Sequence, residues 1–232
     1  MAKFIDRLKN YKATGLILLV NTIIFVLIII NGGPNTQTLI RFGAANSDLI
    51  AKGDYYRLFT HAFVHLSYIH FIFNMIVIYM MTPSIEDKFG PWVVIGTYLL
   101  VALFDELFSP LVFKKVSTGG GASVGYFGLY GLAIGTLFFY KDEKINGWAR
   151  QYIIPMVLII LGSEAYFRII HGSDSFLLEY NIGHILSLLG GMILSGVFSP
   201  RGYELKPSSK IAFATIFVSF LFLFFYLGYY SY

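Results

Sequence analysis

Read for polarity, the chain alternates long apolar runs with short clusters of charge. The stretches 13–40, 58–85, 89–104, 116–140, 151–163, 180–200 and 211–232 contain no Asp, Glu, Lys or Arg. A helix needs about 20 predominantly apolar residues to cross roughly 30 Å of hydrocarbon, and most of these stretches can supply them. The pattern predicts membrane helices over about 13–30, 65–82, 91–107, 122–140, 151–169, 182–199 and 210–229. The fold class is therefore all-α and polytopic, because a backbone inside lipid must satisfy its own hydrogen bonds. The first run follows Lys3, Arg7, Lys9 and Lys12, as the apolar run of a signal peptide would. It ends in Asn31-Gly32-Gly33-Pro34 without a small-residue cleavage pattern, which favours a retained helix. Residues 1–232 read as one membrane domain, with a tail over 1–12, six helices over 13–199 and an additional helix over 210–229.

Composition sharpens this picture. AVILMFWYC make up 56% of the 232 residues, and the 23 Gly raise the apolar share to about 66%, against roughly 45–50% in soluble proteins. Charged residues are 13%, too few to cover the surface of a water-soluble domain of this size. With the N-terminus inside, eleven of the 17 Lys and Arg fall on the inner side, in the N-terminal tail, at Lys88, over 141–150 and over 201–210. The positive-inside rule then puts the N-terminus in the cytoplasm and, after seven crossings, the C-terminus outside. The net charge of +4 forms no basic patch interleaved with exposed aromatics, so nucleic acid is not an expected partner. Cysteine is absent, which excludes disulfides, zinc-thiolate and iron-sulfur sites, and a thiol nucleophile.

Two connections differ in character. The first, 31–57, is long and rich in apolar and aromatic residues (Leu39, Ile40, Phe42, Leu49, Ile50, Tyr55, Tyr56), and is expected to lie folded at the interface. Those over 83–90 and 141–150 read as tight. Glu164 and Arg168, four apart near the outer end of the fifth helix, fit an ion pair reaching the interface.

The candidate chemistry sits in uncharged polar residues at membrane depth. His61, His65 and His70 precede Asn74, and on a helix His70 and Asn74 share one face. Such groups must face the protein interior or a water-filled cavity; the plain alternative is that His61 and His65 sit in the headgroup layer and Asn74 joins helices. A glycine-rich approach, 117–131, opens the fourth helix and carries Gly121, Ser123 and Gly125. Ser123, Phe127, Gly131 and Gly135 step by four, as do Gly183, Ser187, Gly191 and Ser195 beside His184 on the sixth helix, so small-residue strips let the two helices approach closely. That approach can bring His184 within reach of Ser123. A serine needs an adjacent base to act as a nucleophile, and a neutral histidine suits the task. The Ser123 amide, Asn74 and His70 are available to stabilise an oxyanion. No third triad member is evident, since the nearest acids in sequence, Asp174 and Glu179, lie in the outer loop; a Ser-His dyad is expected.

Taken singly, each signal has a structural reading, because a serine in a glycine-rich helix is more often a packing residue. Gly-x-Ser-x-Gly at 121–125 also fits the nucleophile elbow of soluble hydrolases, but an elbow needs a preceding strand, and this serine follows a loop. The joint placement of the candidates at one end of separate helices favours function.

These residues together resemble the rhomboid family of intramembrane serine proteases, over about 54–199 and back across the first helix. Tyr56-Arg57 is similar to that family's aromatic-arginine pair, the His61, His65, His70, Asn74 spacing to its second-helix pattern, and Glu86 with Gly90 to its Glu-x-x-x-Gly. Ser123 after Gly121-Ala122 matches the nucleophile, and His184, followed by the Gly191 strip, matches the base. The resemblance implies that Ser123 attacks the scissile carbonyl, that His184 moves the proton, and that His70, Asn74 and the Ser123 amide hold the oxyanion. It implies that Phe127 packs against the catalytic imidazole, that Arg57 braces the first loop, and that the fifth helix and the loop after it gate the site. It implies no metal or organic cofactor, membrane lipid as surroundings, and single-pass transmembrane segments as substrates. His61, His65 and His70 have no carboxylate near them in sequence to complete a metal site. Two departures stand out: Val124 follows the nucleophile where the family usually has Gly, and Tyr56 stands where Trp is commoner.

The competing reading is a proteolytically silent rhomboid-like protein that binds transmembrane segments for quality control and does not need Ser123. A transporter ranks last, since it would place discontinuous helices and charges near mid-membrane. The cysteine-free chain with a short N-terminal tail reads as a protein of a bacterial plasma membrane; substrate and oligomeric state are not legible. The seventh helix offers no polar group for chemistry and reads as peripheral packing.

Overall fold

The computed structural model describes residues 10–112, 118–171 and 175–229, with side chains described throughout these except at 109, 110, 112, 163–171, 175–181 and 229. The chain is an all-α, multi-span membrane protein. Its helices are α1 (Lys12–Ile30), α2 (Thr36–Arg41), α3 (Ser47–Ala51), α4 (Arg57–Thr60), α5 (Tyr68–Phe89), α6 (Pro91–Val112), α7 (Ser123–Phe139), α8 (Glu143–Arg150), α9 (Ile153–His171), α10 (Ser175–Ser195) and α11 (Pro207–Tyr229). Among the described residues, five helical segments are long and apolar enough to cross a bilayer: Lys12–Ile30, Tyr68–Phe89, Pro91–Phe108, Glu143–Gly162 and Pro207–Gly228. Two more, Ser123–Phe139 and Ile182–Ser195, are apolar but shorter.

α7 is the axis of the bundle. Every residue from Ser123 to Thr136 is buried, so the helix that is apolar all round is also surrounded. Its glycines set how close the neighbours come. A Cβ at Gly125 would run into the Tyr98 ring of α6 and one at Gly128 would lie 2.8 Å from Val101. A Cβ at Gly131 would overlap the Leu188 carbonyl of α10, and one at Gly135 the Ser195 hydroxyl. Gly191 of α10 in turn meets the Gly128 carbonyl. Without side chains at these points the helix backbones touch directly, which is how small residues drive association in lipid.

α1 and α5 pair on one side of this axis, and α11 packs against α6 and α10. α11 adheres through Phe217 and Phe224, which are buried against Phe104 at centroid distances of 5.3 and 5.4 Å. Most of its other large side chains face outward, among them Phe222 and Tyr226.

The helix ends explain where the elements differ from the pattern. α5 begins at Tyr68 rather than near 65, because the Ser67 hydroxyl accepts the His70 N–H at 3.2 Å and caps it. It then runs on through Pro83 to Phe89, past the limit near 82 that its charges suggested. Glu86 is buried there and accepts hydrogen bonds from Ala13 N, Thr14 N and Thr14 Oγ1, each at 2.9 Å. That carboxylate satisfies the first donors of α1, so the acid belongs inside the bundle. The connection over 141–150, read as a tight loop, holds α8. Asp142 caps it by accepting from Lys144 N and Ile145 N at 2.9 and 3.1 Å. The sixth helix is displaced too, spanning Ser175–Ser195 instead of 182–199. Glu164 and Arg168 lie on α9, and their side chains fall outside the described residues, as do those of Asp174 and Glu179.

The long first connection is folded, with Leu39 and Ile50 buried. Arg57 is buried as well: its Nη1 donates to the Ile40 and Ala44 carbonyls at 2.7 and 3.0 Å, and its Nε to Asp54 at 3.0 Å. One guanidinium thus ties the end of α2 to the Ala44 turn and to Asp54. Ala45 then forms an antiparallel bridge with Gly119, which joins this connection to the approach of α7.

Candidate active site

The glycine-rich approach is held in place by the histidine segment. Gly121 N–H donates to the His61 carbonyl at 3.0 Å, and Ala122 N–H to His65 Nε2 at 3.4 Å. Gly120 lies so close that a Cβ there would come within 2.7 Å of the His61 oxygen and 2.8 Å of the Val64 oxygen. His61 in turn bonds the Ala102 carbonyl through Nε2 at 3.2 Å. Since a carbonyl can only accept, that nitrogen carries the proton. Burial pushes the His61 imidazole down to about 4, and burial followed by the charge of His70 pushes His65 down to about 3. Both rings are therefore neutral near pH 7, and for His65 this matches the acceptor role of its Nε2 toward Ala122 N–H. His61 and His65 act as struts for the loop that leads into Ser123.

Ser123 opens α7 and is buried. Beside it, the Gly121 backbone borders both the serine and His70. A Cβ at Gly121 would lie 2.6 Å from His70 Cε1, 2.9 Å from His70 Nε2 and 3.4 Å from Ser123 Oγ. The imidazole edge and the hydroxyl thus flank one small volume that exists because residue 121 has no side chain. His70 stands on the first turn of α5, fixed by the Ser67 cap, and Asn74 follows one turn later and is buried. The His70 Nε2 atom and both Asn74 amide atoms are buried and have no hydrogen-bond partner among the described residues. Orphaned buried donors cost stability and call for a functional explanation.

His184 reaches α7 from α10. It is buried, and its ring stacks on Phe127 at 4.4 Å between centroids and 20° between planes. Phe127 lies one turn after Ser123 on the same face of α7. The structure thus places His184 one turn along α7 from the serine, with His70 and Asn74 on the opposing helix. Three of the singled-out residues lie elsewhere, and Arg57 is one, braced within the first connection. Glu86 caps α1 at the far end of the bundle, and Gly191 makes its backbone contact with Gly128 two turns beyond His184.

The comparisons with known proteins decide the family. The rhomboid domain matches residues 52–201, more than half of the chain. The chain belongs to the rhomboid family. Among its relatives are "Rhomboid protease GluP" of Bacillus subtilis (strain 168), 28% identical over 179 residues that cover 77% of this chain and 33% of that protein. "Rhomboid-like protease 1" of Toxoplasma gondii is 34% identical over 172 residues, covering 72% of this chain and 55% of its own length. "Rhomboid-like protease 2" of the same organism is 26% identical over 177 residues, at 75% and 58% coverage. The matched part of this chain therefore spans between a third and three fifths of these relatives' lengths.

Within the rhomboid fold, the two departures occupy ordinary positions. Val124 is buried in the apolar core. Tyr56 is half exposed, with the Arg57 guanidinium over its ring at 4.9 Å from the centroid. What the sequence reading missed is a pair of acids, Asp105 and Glu106, both buried on α6. Their signal was available, as adjacent carboxylates within an otherwise apolar helix.

Proposed function

We propose that this rhomboid-family protein is an intramembrane serine endopeptidase that cleaves transmembrane segments with a Ser123–His184 dyad. The observation that carries this reading is the His70 imidazole, whose buried Nε2 has no hydrogen-bond partner among the described residues, held against the same glycine as the Ser123 hydroxyl, with the Asn74 amide, likewise buried and without a partner among them, one turn along α5. Packing gives no reason to keep such groups, whereas a developing oxyanion does.

Ser123 Oγ attacks the scissile carbonyl carbon as His184 takes its proton. The tetrahedral oxyanion accepts hydrogen bonds from Asn74 Nδ2, the His70 imidazole and the Ser123 N–H at the start of α7. Collapse breaks the C–N bond, and His184 returns the proton to the leaving amine. Water, activated by the same histidine, then hydrolyses the acyl-enzyme and restores Ser123. Phe127 supports the imidazole, and His61 and His65 hold the loop that delivers the serine.

The substrates are single-pass membrane proteins whose helix unwinds near the site, since an extended backbone is needed for attack. The concentration of basic residues at the opposite end of the bundle orients the site to the outer side, with the N-terminus in the cytoplasm and seven crossings. A bacterial plasma membrane fits the cysteine-free composition.

The test is cleavage of a single-pass substrate by purified protein in liposomes, beside Ser123→Ala and His184→Ala. Product from the wild type alone supports the protease. Equal product from all three, or none from the wild type over a varied substrate set, favours a silent binder of transmembrane segments.

A further inference from the structure

The proteolytic machinery leaves two buried acids unused. Asp105 and Glu106 lie near the end of α6 that leads back to the Ser123 approach, in a helix that is otherwise apolar. An ionisable side chain at membrane depth is expensive to keep, and such residues face the protein interior and serve a site. Asp105 faces α10. It accepts a hydrogen bond from Ser187 Oγ at 3.3 Å, and a Cβ on Gly183 would lie 3.4 Å from Asp105 Oδ1 and 3.8 Å from Oδ2. Positions 183 and 187 are one turn apart on one face of α10, and His184 stands on the turn between them.

The turn that bears His184 is thus gripped from two sides. Phe127 of α7 lies against the imidazole, and Asp105 of α6 holds the turn through Ser187. Further along the α7–α10 seam, Gly128 meets Gly191, Gly131 meets the Leu188 carbonyl and Gly135 meets Ser195, close approaches between smooth surfaces. They fix the distance between the helices but define rotation about α10 weakly. A hydrogen bond has direction and defines that rotation. Both partners of this bond are buried. Exclusion of water and the apolar surroundings strengthen the bond.

We propose that Asp105 is a positioning residue for His184: through Ser187 it sets the rotation of α10 that aims the imidazole at Ser123. This rests on the protease reading and extends it, giving a carboxylate from a third helix the task of orienting the base without touching it.

The experiment measures kcat and KM on a single-pass substrate for the full chain in liposomes, comparing wild type, Asp105→Ala, Asp105→Asn, Ser187→Ala and the double variant Asp105→Ala/Ser187→Ala. Ser123→Ala is the blank. Loss of the bond is expected to lower kcat by about tenfold or more while KM stays within about twofold. Asn at 105 keeps an oxygen acceptor for Ser187 and is expected to recover activity to within about threefold of wild type. The double variant is expected to lose no more than the worse single one, because both remove one interaction. Wild-type kcat in Asp105→Ala, losses that add, or Asn no better than Ala would overturn the proposal. Where Asp105→Ala fails to fold, Ser187→Ala reads the same bond with the carboxylate in place, and an unchanged kcat there overturns it. A wild type without Ser123-dependent cleavage overturns the protease reading and this inference with it; normal wild-type turnover with unaffected variants overturns this inference alone.

Discussion

The His184 imidazole lies nearly flat on the Phe127 ring, 4.4 Å between centroids, one helical turn from Ser123. A stacked face restricts the tilt of the ring. In the proposed dyad, this apolar surface supports the base from the same helix that carries Ser123.

Phe127→Leu keeps most of the buried volume but removes the flat face. It is expected to lower kcat by about tenfold to a hundredfold with little change in KM, since a misplaced base weakens chemistry more than binding. Phe127→Trp, which restores a face, should retain more activity than Leu. Steady-state kinetics of the three proteins check this.

Asn74→Leu should separate stability from activity. Both amide atoms of Asn74 are buried without a partner among the described residues, so an apolar side chain of similar size removes a desolvation penalty. The variant is expected to unfold at the same or a higher temperature than wild type while kcat falls by about a hundredfold, the scale of losing one oxyanion donor. Thermal unfolding in detergent and turnover in liposomes, on one preparation, provide both readings.

The histidine struts predict a pH dependence of stability. His65 is pushed to about 3 and His61 to about 4 by burial, both below the ordinary value of 6.5. Between those limits the unfolded chain binds more protons than the folded one, so stability rises with pH through this window and levels off above about pH 7. His65→Gln keeps an acceptor for the Ala122 N–H but does not titrate. Its unfolding temperature should vary less steeply between about pH 4 and 6.5 than that of wild type, as differential scanning would measure.

At the other end of the bundle, the Glu86 carboxylate satisfies three donors of α1. Glu86→Ala is expected to cost about 2–4 kcal/mol, because it strands buried N–H groups, and Glu86→Gln about half as much, because one acceptor oxygen remains. Denaturation in mixed micelles should give that order, with kcat of the folded fraction close to wild type.

Much of the fold was legible because lipid enforces a simple rule on apolar runs, and the helix-spaced small residues around Gly131 and Gly191 pointed to close packing. Ser123, His184, His70 and Asn74 were legible as uncharged polar residues where only apolar ones are cheap. Glu86 was recognised by its spacing to Gly90, but its work could not be read, since its partners Ala13 and Thr14 are distant in sequence. Asp105 was missed for a related reason. The acids nearest His184 along the chain are Asp174 and Glu179, whereas the acid brought to its turn comes from another helix. α8 was missed because a short polar segment between two spans reads as a turn until Asp142 is seen capping it.

The central claim is that Ser123 is an activated nucleophile and His184 its base. Its most direct test is the reaction of the protein in liposomes with a fluorophosphonate, followed by peptide mass mapping. The expected result is one phosphonylated residue, Ser123, formed in the wild type and lost in His184→Ala. Labelling spread over other serines, or undiminished in His184→Ala, would contradict it.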